Sequence, residues 1–127
     1  MSDTVNDDDL QVLAKEGVDT KSSKRMKGHV STTTGEKFRG VFAIGEGSSW
    51  HFHGTAEAEF LPHSLDDRKA EVIYQREDQL TGKRTFKVRK FDRFVTVFLG
   101  NGPVIIIHAI ATHTPNGSGE WKTDPSN

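Results

Sequence analysis

Apolar and polar residues alternate with a period of two along much of this chain. The clearest run is Trp50-His-Phe-His-Gly-Thr-Ala-Glu-Ala-Glu-Phe60. Trp50, Phe52, Ala56, Ala58 and Phe60 fall on even positions, and His51, His53, Thr55, Glu57 and Glu59 on odd ones. Such a period marks a β-strand with one apolar and one polar face. Phe38, Gly40, Phe42 and Ile44 share a face in the same way, as do Ala70, Val72 and Tyr74, and Phe86 with Val88. Turn chemistry punctuates these runs at Thr34-Gly35-Glu36, Gly45-Glu-Gly47, Thr81-Gly82-Lys83, Gly100-Asn-Gly102 and Asn116-Gly-Ser-Gly119. The spacing predicts strands near 28–33, 37–44, 49–61, 68–77, 84–91, 93–99, 103–113 and 119–123. Residues 94–99 and 104–107 are apolar on both faces, so those strands are covered on both sides or pack at an interface. The pattern predicts an all-β domain, an antiparallel meander closed into a barrel or folded as a sandwich.

Residues 1–27 read differently, as a polar, partly disordered arm ahead of a single β-barrel domain at 28–127. Asp7, Asp8 and Asp9 precede Leu10-Gln-Val-Leu-Ala-Lys-Glu16, and Gly17 follows. Acidic residues at the front, a lysine near the end and a glycine stop predict a short helix. Its only apolar side chains before Ala14 are Leu10, Val12 and Leu13 among this stretch, so it needs a surface to pack on. Plugging one mouth of the barrel is the expected use. The basic stretch Thr20-Lys-Ser-Ser-Lys-Arg-Met-Lys27 reads as a solvated, flexible tail.

Composition narrows the function classes. The 127 residues carry a net charge of −1, without the basic excess usual for a nucleic-acid binder. No cysteine is present, which removes disulfides and thiolate chemistry. The longest apolar run, Val104 to Ile107, cannot span a bilayer, and no apolar signal region opens the chain. A soluble cytoplasmic protein is the expectation.

The candidate site follows from side-chain size. The apolar face of the central run mixes Trp50, Phe52 and Phe60 with Gly54, Ala56 and Ala58. Small residues in mid-strand either admit another element closely or leave volume empty. In an eight-stranded barrel that volume is a cavity for a small apolar or amphipathic ligand, lined by Trp50, Phe52, Tyr74, Phe86 and His108. His108 alternates with Val104, Ile106 and Ile110 and is expected in apolar surroundings, bonded to backbone or Tyr74, or orienting a ligand. No serine or aspartate partner is recognisable, so a catalytic triad has no support. His29, His63 and His113 fall at predicted strand ends or turns. Lys83, Arg84, Lys87, Arg89, Lys90 and Arg93 crowd one strand region; Phe86 alternates with Val88 toward the core while Lys87 and Arg89 take the other face, which reads as a charged outer face.

Two families are resembled. Gly45-x5-His51-x-His53-x3-Glu57 resembles the first metal-binding motif of the cupins, with Ser64 in place of its closing glycine. Pro103-x4-His108 is similar to the second motif, with Ile105 for its glycine and Thr112 for its usual asparagine. This resemblance implies a cupin-type dioxygenase or isomerase whose single divalent Fe, Mn, Ni or Zn is held by His51, His53, Glu57 and His108. A straight strand opposes it, since His51 and Glu57 would then lie roughly 20 Å apart. Ala58-x-Phe60-x-Pro62, Tyr74-x-x-Glu77, Arg84-x-Phe86 and Phe98-x-x-x-Gly102 are similar to lipocalin-like domains of the calycin type. That likeness implies a small-molecule binder without a cofactor. A third reading is a homo-oligomeric interaction module, in which Phe94–Leu99 and Val104–Ile107 bury against a second copy.

Overall fold

The computed structural model describes residues 7–15, 17, 24–34, 36–43, 49–61, 68–91, 93–111 and 113–124. One helix, α1 (Asp7–Lys15), precedes eight strands: β1 (Lys24–Thr32), β2 (Lys37–Ala43), β3 (Ser49–Ala56), β4 (Arg68–Tyr74), β5 (Gly82–Lys90), β6 (Val95–Leu99), β7 (Val104–Ile107) and β8 (Asn116–Asp124). All pairings are antiparallel, and they close into a barrel in the order β1-β2-β3-β8-β5-β6-β7-β4. Closure leaves no sheet edge to protect. No helix among the described residues is long and apolar enough to cross a membrane.

The all-β barrel is as the alternation predicts, but its strand order is not a meander. β1, β2 and β3 follow one another, and β4 returns to pair with β1. β5, β6 and β7 do the same, and β8 returns to pair with β5. Each half is therefore a Greek key. The halves are joined where β3 meets β8 and β4 meets β7. The chain leaves the sheet after β3 and after β7, over described residues 57–61 and 108–111, to reach these partners. Alternation says which face a residue takes, and says nothing about which strand lies beside it.

The crossovers also explain why two strands stop short of their predicted ends. β3 ends at Ala56 and β7 at Ile107. Backbone bonds mark the departure, with Ala56 N–H donating to Glu36 O and Glu57 N–H to Asn116 O. Phe60 and Leu61, then Ala109 and Ala111, fold back into the main core from the crossover segments. They seal the end of the barrel that these segments cross. At the N-terminal side the barrel begins at Lys24, earlier than the predicted boundary. Lys24, Arg25 and Lys27 are strand residues paired with Tyr74, Ile73 and Glu71, not part of a tail.

Inside, Met26, Val30, Phe38, Phe42, Phe52, Val72, Tyr74, Phe86, Val97, Ile105 and Trp121 belong to one buried cluster. Glycine in β8 is required where rings and backbone meet. A Cβ at Gly119 would lie 2.5 Å from both His53 O and the Phe52 ring, and one at Gly117 would lie 2.4 Å from Thr55 O and from the Phe86 ring. The turn glycines Gly17, Gly82 and Gly102 adopt positive φ.

The helix forms where capping signals place it, and Gly17 N–H donates to Ala14 O at 3.1 Å to end it. It does not plug a mouth. Leu13 is fully buried in a second cluster with Ile73, Phe94, Val104 and Ile106, on the outward faces of β4, β6 and β7 and the turn before β6. The plug expectation failed because the outer faces of β4, β6 and β7 are themselves apolar and take up Leu13. Within one chain this face is already buried in a cluster that includes Leu13 of the helix.

Candidate functional site

The residues expected to line a ligand cavity are distributed around the inner wall. Phe52, Tyr74 and Phe86 are buried in the main core, and Trp50 packs half-buried against it. They face one another across a filled interior. The ring centroids of Phe52 and Phe86 lie 6.2 Å apart, those of Phe38 and Phe86 5.7 Å, and those of Phe52 and Trp121 5.0 Å. Phe60 closes the set edge-on to Phe38 at 5.7 Å. The space beside Gly40, Gly54, Gly117 and Gly119 is taken by phenylalanine rings. Of the two meanings of small residues in mid-strand, close approach is the one realised here.

His108 stands apart from that set. Ile105 and Ile107 point into the barrel, whereas Val104 and Ile106, with which His108 alternates, belong to the outer cluster. His108 follows the end of β7, and its backbone N–H donates to Lys69 O at 3.0 Å. Its Nε2 and the Tyr74 hydroxyl are both buried without a hydrogen-bond partner, so the expected His108–Tyr74 bond is not made. Burial, then the nearby Glu77 carboxylate, raises the Tyr74 hydroxyl above its ordinary pKa.

The cupin ligand set is not assembled. β3 is straight and paired along its length, so His51 and His53 both project outward, rings stacked with centroids 6.4 Å apart. Glu57 lies beyond the end of β3. His108 follows β7, which is four strands away from β3 on the opposite wall. Among the described residues no group of three or more metal-ligating side chains comes together.

What the outer surface does bring together is a row across the sheet. Register places Arg39, His53, Glu120 and Lys83 side by side on β2, β3, β8 and β5. The adjacent row holds Thr55, Ser118 and Thr85. His51 accepts or donates a bond with Ser49 Oγ at 3.0 Å and lies beside Lys122. Partial burial, then Lys122, Arg39 and His51, lower the His53 pKa from its ordinary 6.5, and Glu120 opposes them.

A second feature lies over β1, β2 and β4. An outer cavity of about 400 Å3 is lined by Lys27, His29, Val41, Ala43, Lys69 and Glu71, among others. His29 sits in mid-strand here, not at a strand end, and His63 lies outside the described residues. Glu71 is 3 % exposed although it faces outward. Its Oε2 has no hydrogen-bond partner, and the nearest cation is Arg25 Nη1 at 3.8 Å. A buried carboxylate oxygen left unbonded is costly. Alternation alone assigned Glu71 to a wet face. The overlooked signal is Ile73, two residues on and on the same face, which shows that this side of β4 is partly dry.

The fold and this surface define a class: a closed eight-stranded antiparallel barrel whose inner rings pack on one another and whose outer surface carries concave features. The fold is similar to that of the virulence-associated protein VapB from the intracellular pathogen Rhodococcus equi, with a TM-score of 0.53 and 12% sequence identity, covering 79% of this chain and 97% of VapB. At that identity the likeness is one of fold alone. No protein-family model matches the sequence, and no curated protein matches it.

Proposed function

We propose that this barrel binds a small amphipathic molecule, in the outer groove over β1, β2 and β4 instead of the barrel interior. The observation that carries this reading is Glu71, whose Oε2 is buried and unbonded at the wall of a cavity of about 400 Å3. Small-molecule sites of such size are mostly apolar, with a few polar groups that fix orientation. Val41 and Ala43 supply the apolar floor, and Lys27, His29 and Lys69 the polar rim. A ligand N–H or O–H directed at Glu71 Oε2 would satisfy the orphaned acceptor. The interior set Phe52, Tyr74 and Phe86, with Trp50 at its margin, is the competing location, and a ligand there would have to displace packed rings.

N-phenyl-1-naphthylamine, a neutral aromatic amine with one N–H donor, is the probe. Its fluorescence should rise saturably with wild-type protein. Ala43→Trp, which fills the groove floor, should abolish the rise, and Glu71→Gln should weaken binding roughly tenfold, as expected for loss of one charge-assisted bond. Backbone amide shifts should cluster at Val41, Ala43, Lys69 and Ala70. Shifts centred on Phe52, Phe86 and Trp121 would move the site inside the barrel, and an unsaturable response would sink the proposal.

A further inference from the structure

The outer wall formed by β3, β8 and β5 carries a second concavity, of about 600 Å3, that the amphipathic-ligand reading does not use. Its chemistry is different. Lys83, Arg84 and Lys122 line it together with the hydroxyls of Thr55, Thr85 and Ser118. Glu120 is the only carboxylate among the described lining residues. Neither Lys83 nor Lys122 forms an ion pair among the described residues. Arg84 is held in place by its Nε–H, which donates to Thr81 O at 2.9 Å.

The register explains how these groups converge. Thr55, Ser118 and Thr85 form one row across three strands, and His53, Glu120 and Lys83 form the next. Lys122 lies on β8 one outward position beyond Glu120. Adjacent strands are about 4.8 Å apart and alternate residues about 6.7 Å, so the backbones carrying Lys122 and Lys83 are set about 8 Å apart. The hydroxyl row flanks Lys83, while Lys122 lies on the far side of Glu120. Unpaired cations beside neutral donors, spread wider than one phosphate, suit a ligand with several anionic oxygens. Among the described lining residues the His53 imidazole is the only aromatic ring, and no large apolar side chain is present that would enter a bilayer.

We infer that the β3–β8–β5 wall is a binding site for a soluble molecule carrying two or more phosphate groups, with Lys83 and Lys122 as the charged contacts and Thr55, Ser118 and Thr85 as hydrogen-bond donors. The field at His53 agrees with it. That ring faces Arg39 on β2, Glu120 and Lys122 on β8 and His51 on its own strand, and after burial the three basic neighbours hold its pKa down.

The test is calorimetric titration of the full chain with inorganic tripolyphosphate. Wild type should bind one equivalent saturably, and Lys83→Glu and Lys122→Glu should each weaken binding roughly tenfold or more. Arg76→Glu, an exposed cation already paired with Asp78 at 3.2 Å, should leave it unchanged. Circular dichroism of each variant establishes that the barrel is intact, and amide shifts at Thr55, Thr85 and Ser118 in wild type locate the ligand without any variant. Equal weakening by Arg76→Glu would reduce the effect to general charge attraction and overturn the proposal. So would orthophosphate binding as tightly as tripolyphosphate, or binding to phosphatidylglycerol vesicles with none to tripolyphosphate. Glu71→Gln leaves this titration unchanged, so the two sites succeed or fail separately.

Discussion

Two walls of the same barrel have inner faces built alike and outer faces built for opposite surroundings. On β4, β7 and β6 the outward side chains include Ile73, Ile106 and Val104, buried together with Phe94 and with Leu13 of α1. On β3, β8 and β5 they include His51, His53, Ser118, Glu120, Lys122 and Lys83, open to solvent or nearly so. A closed barrel buries one face of every strand by geometry, and its other face is dry only where something covers it. A short helix is enough here, because one leucine of α1 reaches the centre of an apolar patch. Burying a side chain of that size is worth roughly 1.5–3 kcal/mol. The covered wall is thereby committed to stability. The uncovered wall can carry charge, and with it recognition.

That contrast can be broken from either side. The largest effect is expected at an inward position of the open wall. Gly119→Val sets its branched side chain against His53 O and Phe52, and should cost about 3 kcal/mol or prevent folding, read by urea denaturation. The wall is tolerant outside and intolerant inside. Next comes the cover: Leu13→Ala should cost roughly 2–4 kcal/mol, while Val12→Ala, one residue away and 37% exposed, should stay within about 0.5 kcal/mol. Equal effects would mean that α1 does not hold the covered wall through Leu13. His51→Ala and His53→Ala should each change stability by less than about 0.5 kcal/mol, since both rings project from the open wall. A loss as large as that of Leu13→Ala would abolish the distinction between the walls.

The smallest effect is electrostatic. The folded His53 pKa lies below 6.5, so the unfolded chain takes up the proton first as pH falls. The histidine's contribution is held above about pH 6.5 and lost as pH falls toward the folded value. Imidazole proton shifts should show His53 titrating below 6.5, moving up in Lys122→Ala and down in Glu120→Gln. No movement in either variant would mean that burial alone sets it.

How much of this was legible before the structure depends on which kind of contact is asked about. Phe38, Phe42, Phe52, Phe86 and Val72 were placed on inner faces by alternation alone, and all are in the core. Residues 94–99 and 104–107 were marked as covered on both sides or packed at an interface; Phe94, Val104 and Ile106 are buried with Leu13 of α1, and Phe98 is partly buried against them. Residues 57–61 and 108–113 were read as the ends of strands 49–61 and 103–113, the first because Ala58 and Phe60 continue the even-numbered pattern. Phe60 does go inside, from a crossover that seals the barrel instead of from a strand. The candidate site was the least legible. A glycine beside an aromatic ring in sequence does not reveal whether a second ring from another strand fills its space, and here Phe38, Phe52 and Phe86 do.

The sequence by itself determined the strand content, the side of each strand that turns inward, the short capped helix and the dryness of β6 and β7 on both faces. These are local properties, written in period, turn residues and capping signals. Only the tertiary structure decided that two Greek keys interlock, that phenylalanine rings occupy the space beside Gly54, Gly117 and Gly119, that Leu13 of α1 packs outside the barrel and that Glu71 is buried on an outward face. Each of these depends on which strand lies beside which. Strand pairing across dozens of residues is settled by the packing of the whole core, and no window of the sequence contains it.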